Sequence, residues 1–181
     1  MNPNDGYSLE ENKSANDLKY VFVSKGKKDI VKAIEYTYVQ DVNDSITYNL
    51  GFGDYNTEND EVDDESNANN GDMYKVFNTV LSTIPIFFEN NKGGVIFVQG
   101  SDGVPGFAEK CRLACTKKCG GDECKNLNRR INTYRYYINK NYDQLSADYQ
   151  FSGGTMGDNN EISYEAYVPF KGYDSIAVKK K

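Results

Sequence analysis

Four cysteines lie close together in the second half of the chain, and thiolates are strong metal ligands. Cys111, Cys115, Cys119 and Cys124 follow the spacing C-x3-C-x3-C-x4-C and fall within 14 residues. Four thiolates that reach one point suit a tetrahedral Zn²⁺ ion, and a zinc site without an open coordination position has a structural role. We therefore predict a structural zinc site. The alternative is that two or three of these thiols are small apolar side chains buried on a helix face.

A second group of side chains is suited to a divalent cation. Residues 49–72 are rich in carboxylates and side-chain amides, and Mg²⁺ and Mn²⁺ take oxygen ligands of this kind in phosphoryl-transfer sites. The candidate residues are Asp54, Asp64 and Asp72 for the ion and Asn49 and Asn70 for a ligand. The alternative is that residues 55–70 form a hydrated acidic loop, which ends in a cap for a following helix.

Basic and aromatic side chains are mixed along a predicted helix after the cysteines. Arg129, Arg130, Tyr134 and Arg135 are candidates for gripping a phosphate backbone and stacking bases, with Arg130 and Arg135 as phosphate clamps in an enzyme. Residues 110–140 carry nine Lys or Arg against two Asp or Glu, although the whole chain has a net charge of −6. A nucleic-acid partner is open, but the acidic chain would repel it. The alternative is a solvated helix face over a tyrosine-rich core.

The composition excludes several classes of site. The chain has no histidine, which removes Ser-His-Asp and Cys-His catalytic systems and histidine metal sites. No segment reaches the roughly 18 consecutive apolar residues of a membrane-spanning helix, so no membrane association is expected. The polar, acidic start of the chain lacks the basic and apolar regions of a secretory signal. We therefore expect a cytoplasmic protein, in which disulfides between the cysteines are disfavoured.

The periodicity of the apolar residues predicts the main elements. Alternation predicts strands at 18–24 and 161–170, β-branched and aromatic residues predict one at 29–40 that forms a hairpin with the first, residues 46–54 continue the meander, and a short apolar run predicts a strand at 95–99. Helical spacing predicts helices at 73–90 and 127–142. The order of these segments is not a regular β-α-β alternation. It favours an α+β fold with an antiparallel-dominated, twisted sheet of about five to six strands and two main helices packed on one face.

The same patterns divide the chain into three parts. Residues 1–17 have no apolar periodicity and are predicted to be a flexible N-terminal arm. Residues 18–175 are predicted to be a single α+β domain, a size that one domain commonly reaches. Residues 176–181 end in consecutive lysines and are predicted to be a basic tail.

Short motifs along residues 18–155 carry a family resemblance. They are residues 20–24 (YVFVS), 49–54 (NLGFGD), 63–64 (DD), 69–72 (NNGD), 76 with 79–80 (V and TV), 97–101 (FVQGS), 130–137 (RINTYRYY) and 151–153 (FSG). With these motifs the chain resembles a family of small uncharacterised bacterial proteins, of the Bacteroidetes type, known as a domain of unknown function. The resemblance implies that the cysteine-bearing segment, at about 103–126, is an insertion. It also implies that Asn49, Asp54, Asp64, Asn70, Gly71 and Asp72 lie together, and it implies no activity.

These observations leave three functions open. The leading hypothesis is a small intracellular, non-enzymatic binding or interaction domain with a protein partner, in which a structural zinc ion stabilises the cysteine segment. An alternative is a metal-dependent nuclease or other phosphoryl-transfer enzyme that uses Mg²⁺ or Mn²⁺ at Asp54, Asp64 and Asp72. A further alternative is a component of a toxin–antitoxin or phage-conflict system, which the small size and the segregated charge allow.

Overall fold

A computed structural model describes residues 5–13, 17–42, 45–64, 69–114, 119, 124–157 and 161–181 of the chain. Contacts divide the chain into two compact units, Met1–Ile96 and Phe97–Lys179, and each is described by itself. Within the described residues, no helix combines the length and the apolar character that crossing a membrane requires.

The first unit contains an antiparallel sheet and one helix. Its strands are β1 (Glu10–Lys13), β2 (Asp17–Lys25), β3 (Asp29–Val42), β4 (Ser45–Asn56) and β5 (Glu61–Asp63), and its helix is α1 (Met73–Asn90). Each strand pairs with the next in antiparallel register. Because side chains alternate between the two faces of a strand, β2 buries Leu18, Tyr20 and Phe22 together on one face.

Helix α1 packs on the sheet of the first unit through an apolar stripe. Val80 and Phe87, two turns apart, are buried. The ring of Phe87 stacks on that of Tyr36 from β3 with centroids 4.5 Å apart, and the Tyr36 and Thr83 hydroxyl oxygens are 2.7 Å apart. The helix predicted over residues 73–90 is therefore confirmed with the predicted bounds.

The second unit combines strands with two further helices. Its elements are β6 (Val95–Gln99), which begins in the first unit, a 3-10 turn (Ser101–Gly103), α2 (Phe107–Ala114), α3 (Arg129–Asp148), β7 (Tyr149–Met156), β8 (Ile162–Ala166) and β9 (Ser175–Lys180). β7 lies between β9 and β8 and pairs with β8 in antiparallel register. Helix α3 buries Ile131, Tyr134 and Ile138 at helical spacing.

The predicted number of elements is wrong. The described residues form nine strands and three helices, where the sequence pattern predicted five to six strands and two helices. The additional strands lack the apolar alternation on which the prediction depended. β1 is polar throughout and is held by backbone pairing with β2. β7 contains Gly153 and Gly154, and glycine usually favours a loop. Here, atoms of Tyr173 and Ser175 lie within 2.4 Å of where Cβ atoms of the two glycines would be, so the strand has no room for larger residues at these positions.

Two of the strands that were not predicted fall in segments predicted to be an arm and a tail. β1 lies in the predicted N-terminal arm, and β9 lies almost wholly in the predicted basic tail. In β9, Ile176 and Val178 are buried, so Lys179 and Lys180, which suggested a tail, are the end of a strand. The division of residues 18–175 as a single domain stays a prediction.

Candidate functional site

The motif Asn70-Gly71-Asp72 lies at the start of α1, in a polar cluster of the first unit. Asp72 is the N-cap residue of α1, but its side chain does not cap the helix. Its Oδ2 atom accepts hydrogen bonds from the Ser24 hydroxyl at 2.5 Å and from the Tyr7 hydroxyl at 2.7 Å. Burial raises the pKa of Asp72, but these hydrogen bonds, a backbone hydrogen bond and the positive charge of Lys32 together lower the pKa below its ordinary value. Asp72 is therefore a carboxylate engaged within its own chain.

Asn70 links this cluster to the turn between β2 and β3. Its Nδ2 atom donates to Ser24 Oγ at 2.8 Å and to the Lys28 carbonyl at 2.9 Å, and its Oδ1 atom accepts the Lys28 N–H at 3.0 Å. The residue is buried, so these bonds are shielded from water. The Asn70 carbonyl oxygen lies 2.0 Å from where a Cβ atom of Gly26 would be, which is why the turn needs glycine there.

Tyr7 joins the N-terminal residues to the same cluster, although no sequence pattern predicted it. Its backbone N–H donates to Thr79 Oγ1 at 2.9 Å, and its hydroxyl accepts the Lys25 N–H at 2.9 Å. Its ring stacks on Phe22 with centroids 5.7 Å apart. A single tyrosine in a polar segment has no periodicity that could reveal such contacts.

The three carboxylates predicted to hold a divalent cation do not form a metal-binding group. Asp54 pairs with the buried Lys32, and Asp72 belongs to the cluster at α1. Asp64 follows β5, and Asn49 lies opposite Thr37 in the β3–β4 register. Across the described ranges, no group of three or more Cys, Asp or Glu residues is placed to hold a metal ion. The contacts of this region join Asn70 to Asp72 through Ser24.

The basic face predicted on α3 contributes to the packing of the second unit. Arg135 donates through Nη2 to the Lys171 carbonyl at 3.1 Å, and Arg129 donates through Nη1 to Asn126 Oδ1 at 3.3 Å. Tyr134 is 7% exposed, and burial raises its pKa. Its ring therefore cannot stack on a base without a rearrangement of the core.

Three of the four cysteines belong to the described residues, and Cys115 lies outside them. The described ones are half-buried thiols that form no disulfide with one another: Cys111, Cys119 and Cys124. Cys111 Sγ accepts a hydrogen bond from Asn126 Nδ2 at 3.2 Å. Cys119 Sγ accepts one from the Lys125 N–H at 3.5 Å. The zinc site formed by all four thiolates stays a prediction.

Asp102, in the 3-10 turn, closes the segment that carries the cysteines. Its carbonyl accepts the Asn128 N–H at 3.0 Å, and its Oδ2 atom accepts the Arg130 N–H at 3.0 Å. The segment between residues 102 and 128 therefore begins and ends at one place, and its origin as an insertion stays a prediction. Asp102 is 7% exposed, and its Oδ1 atom has no partner among the described residues. Burial raises the pKa of Asp102 despite the hydrogen bonds from the first amides of α3.

Replacing Asp102 with asparagine is expected to change how stability depends on pH. The folded pKa lies above the ordinary value of 3.8, so the folded state binds this proton more tightly than the unfolded state. The resulting stabilisation is present below the ordinary value and is lost as the pH rises through the folded pKa. The free energy of unfolding of the wild type minus that of Asp102→Asn should therefore fall as the pH rises from about 4. Urea unfolding of both proteins at several pH values measures this difference in unfolding free energy. A difference that rises with pH would contradict the prediction.

The turn that follows β8 presents an exposed aromatic side chain. In Val168-Pro169-Phe170-Lys171, the Lys171 N–H donates to the Val168 carbonyl at 3.2 Å. Phe170 has φ of 70°, a left-handed value that a type II turn requires at this position and that glycine usually supplies. The residue is 80% exposed. A bulky aromatic residue therefore stands in a strained backbone conformation at the surface.

Two side chains of α3 hold this turn. Asn139 Oδ1 accepts the Phe170 N–H at 3.0 Å and the Tyr167 hydroxyl at 2.9 Å. Arg135 donates to the carbonyl of Lys171, the next residue. The backbone is thus bonded on both sides of the Phe170 side chain.

Tyr173 supports the beginning of the same turn. Its hydroxyl accepts the Val168 N–H at 3.1 Å and donates to Glu165 Oε1 at 2.7 Å. Its ring is buried against β7, where its atoms lie 2.3 to 2.4 Å from where a Cβ atom of Gly153 would be. The turn is therefore built on the core of the second unit.

Sequence reasoning missed this turn. It predicted a strand over residues 161–170, whereas β8 ends at Ala166. Pro169 is the signal that could have revealed the turn, because proline favours the second position of a turn and cannot continue a central strand. The left-handed conformation of Phe170 has no signal, since the residue type argues against it.

One protein-family model matches residues 4–105, which is more than half of the chain. Its description is "Family of unknown function (DUF6934)". The chain belongs to this family. Comparison with curated proteins and comparison with solved structures each found no match.

The matched residues include some of the candidate sites and exclude others. They cover the cluster of Tyr7, Asn70 and Asp72 and the Lys32–Asp54 pair, and they end just after the 3-10 turn. The cysteine segment, α3 and the turn at Phe170 follow the matched residues. The resemblance to a family of unknown function is confirmed, and the description of the family names no activity.

Proposed function

We propose that the protein is a non-enzymatic binding domain whose protein partner contacts the turn at residues 168–171. The observation that carries the proposal is Phe170, an aromatic residue that is 80% exposed on a backbone with φ of 70°. Aromatic residues are enriched among the anchors of protein interfaces. Strained residues persist where surrounding contacts over-determine them, and they cluster at functional sites.

The stability of the fold does not account for phenylalanine at this position. A left-handed backbone conformation costs an L-residue about 1–2 kcal/mol, and glycine avoids this cost. The exposed ring offsets little of it, because the hydrophobic gain is proportional to the apolar area removed from water. A partner that covers the ring would supply the missing burial.

The rigid support of the turn favours the same function. Asn139, Arg135 and Tyr173 bond to the backbone on both sides of Phe170, so the position of the turn is set before any partner arrives. A preorganised contact loses less conformational entropy on association than a loop that must be ordered.

Replacing Phe170 with glycine is expected to raise the free energy of unfolding by about 1 kcal/mol, because the backbone strain is relieved. Urea unfolding followed by circular dichroism measures the change. Leu113→Ala is the matched control, since Leu113 is an exposed apolar residue of α2 and its loss should change stability by less than about 0.5 kcal/mol. A Phe170→Gly protein less stable than the wild type would show that the ring serves folding.

The same variants test the binding itself. The wild type and both variants are immobilised, exposed to an extract of the source cells, and compared by quantitative mass spectrometry. We expect a partner that the wild type and Leu113→Ala retain and Phe170→Gly loses. With that partner purified, the loss of the ring should weaken binding at least about thirtyfold, as for an interface anchor of about 2 kcal/mol. Equal retention by all three proteins would contradict the proposal.

The proposal includes a cytoplasmic location, a bacterial source and a structural zinc ion. A cytoplasmic location is supported by the described thiols, which form no disulfides. A bacterial source of the Bacteroidetes type is supported by the resemblance, and a structural zinc ion by the cysteine spacing. The contacts of Asp54 with Lys32 and of Asp72 with Ser24 give no support to a phosphoryl-transfer enzyme.

A further inference from the structure

Strand β8 is the last strand in the strand order, and one of its edges is open among the described strands. The Gly157 N–H donates to the Glu161 carbonyl, and the Tyr167 N–H donates to the Phe151 carbonyl. Hydrogen-bonded and non-hydrogen-bonded pairs alternate along an antiparallel ladder, so residues 161, 163, 165 and 167 bond towards β7. The N–H and C=O groups that point to the open edge are those of Ile162, Tyr164 and Ala166.

This edge has few of the features that usually prevent a strand from pairing with another chain, because β8 contains no proline and its charge is confined to one residue. β8 has the sequence ISYEA, in which Glu165 is the one charged residue, and Glu165 forms an ion pair with Lys171 of its own chain. β1, whose described pairing is with β2, has the sequence EENK, with three charged residues in four. β8 is therefore open to strand pairing where β1 is protected by charge.

We propose that two copies of the chain pair in antiparallel register through β8, across a two-fold axis at Tyr164. In this register Tyr164 faces its counterpart in the second copy, Ile162 faces Ala166, and Ser163 faces Glu165. The outward N–H and C=O groups of the two strands then meet as hydrogen-bonded pairs. Facing aromatic residues stabilise antiparallel strands, whereas facing like charges destabilise them. The register pairs the tyrosines and keeps the two Glu165 carboxylates from facing each other.

The choice of a second copy as the occupant follows from this self-complementarity. A two-fold interface requires that one surface match itself. In the proposed register, the outward N–H and C=O groups of β8 pair with each other, the large Ile162 faces the small Ala166, and the charged Glu165 faces the neutral Ser163. Tyr164 is 48% exposed, so the pairing covers an aromatic side chain that the single chain leaves half in water. The proposal does not depend on the partner of the Phe170 turn.

Sedimentation equilibrium of the full chain tests the pairing. The wild type is expected to be a dimer in equilibrium with monomer. Ala166→Pro removes one outward N–H without removing a bond to β7, and should weaken the dimer at least about tenfold. Ala166→Ser, which keeps that N–H, is the matched control and should dimerise as the wild type does. A wild type that stays monomeric up to about 1 mM overturns the proposal.

A charge-pairing experiment tests the register and remains informative if Ala166→Pro fails to fold. Tyr164→Lys and Tyr164→Glu each place like charges opposite one another, so each alone should be monomeric. Mixed in equal amounts, they should form a mixed dimer, because opposite charges then face each other. Phe170→Gly leaves β8 intact and should dimerise as the wild type does. Failure of the mixture to dimerise, or a monomeric Phe170→Gly, would overturn the proposal.

Discussion

The variant Asn70→Ala is expected to lose about 3 kcal/mol of unfolding free energy, because three hydrogen bonds disappear from a buried site at about 1 kcal/mol each. The Asn70 side chain bonds to the Ser24 hydroxyl and to both backbone polar groups of Lys28. Ser24 in turn bonds to Asp72. The substitution therefore leaves buried polar groups unpaired in the turn between β2 and β3, although the backbone bond from the Lys27 N–H to the carbonyl of residue 70 remains.

Urea unfolding of Asn70→Ala and a matched asparagine variant measures this effect. Asn90→Ala is the control, because the exposed Asn90 amide donates to the Ile86 carbonyl of its own helix. Its loss should change the free energy of unfolding by less than about 0.5 kcal/mol. Equal losses in the two variants would show that the polar cluster at α1 does not hold the first unit together.

The variant Gly153→Ala is expected to destabilise the second unit by about 3 kcal/mol, the upper end of the usual cost of overpacking. The added Cβ atom would lie 2.3 Å from an atom of the Tyr173 ring. The Tyr173 ring cannot easily move away from the added Cβ atom, because the residue is 2% exposed and its hydroxyl bonds to Val168 and Glu165. Moving the ring would also release the turn that carries Phe170.

The control for Gly153→Ala is a glycine with free space around it. A Cβ atom at Gly172 would find its nearest neighbour, Arg135 Nη2, at 3.7 Å, so Gly172→Ala should stay within about 0.5 kcal/mol of the wild type. Urea unfolding compares both variants, and near-ultraviolet circular dichroism follows the tyrosine packing. A Gly153→Ala protein as stable as Gly172→Ala would contradict the close approach of Tyr173 to β7.

Sequence reasoning succeeded where one short segment contains the whole signal. Helix α1 and strand β6 have the predicted bounds, because apolar residues at a regular spacing within a segment determine which face is buried. The hairpin of β2 and β3 was also predicted, since an alternating segment and a segment rich in β-branched and aromatic residues flank a short polar turn. These elements position Ser24 and Asp72, so the sequence placed the frame of the polar cluster without revealing its contacts.

The sequence by itself determined the elements whose apolar pattern is local, the membership of the chain in a family of unknown function, and the crowding of its cysteines. The tertiary structure alone decided which residues meet. The polar strand β1 forms because its backbone bonds to β2. β7 contains two glycines because Tyr173 and Ser175 pack closely against it. Phe170 is held in a glycine-like backbone conformation by a hydrogen bond to Asn139. The contacts of β7 with Tyr173 and of Phe170 with Asn139 join residues that are 20 or more positions apart in the chain. No local periodicity encodes such contacts, because their free energy is gained only once the intervening chain has folded.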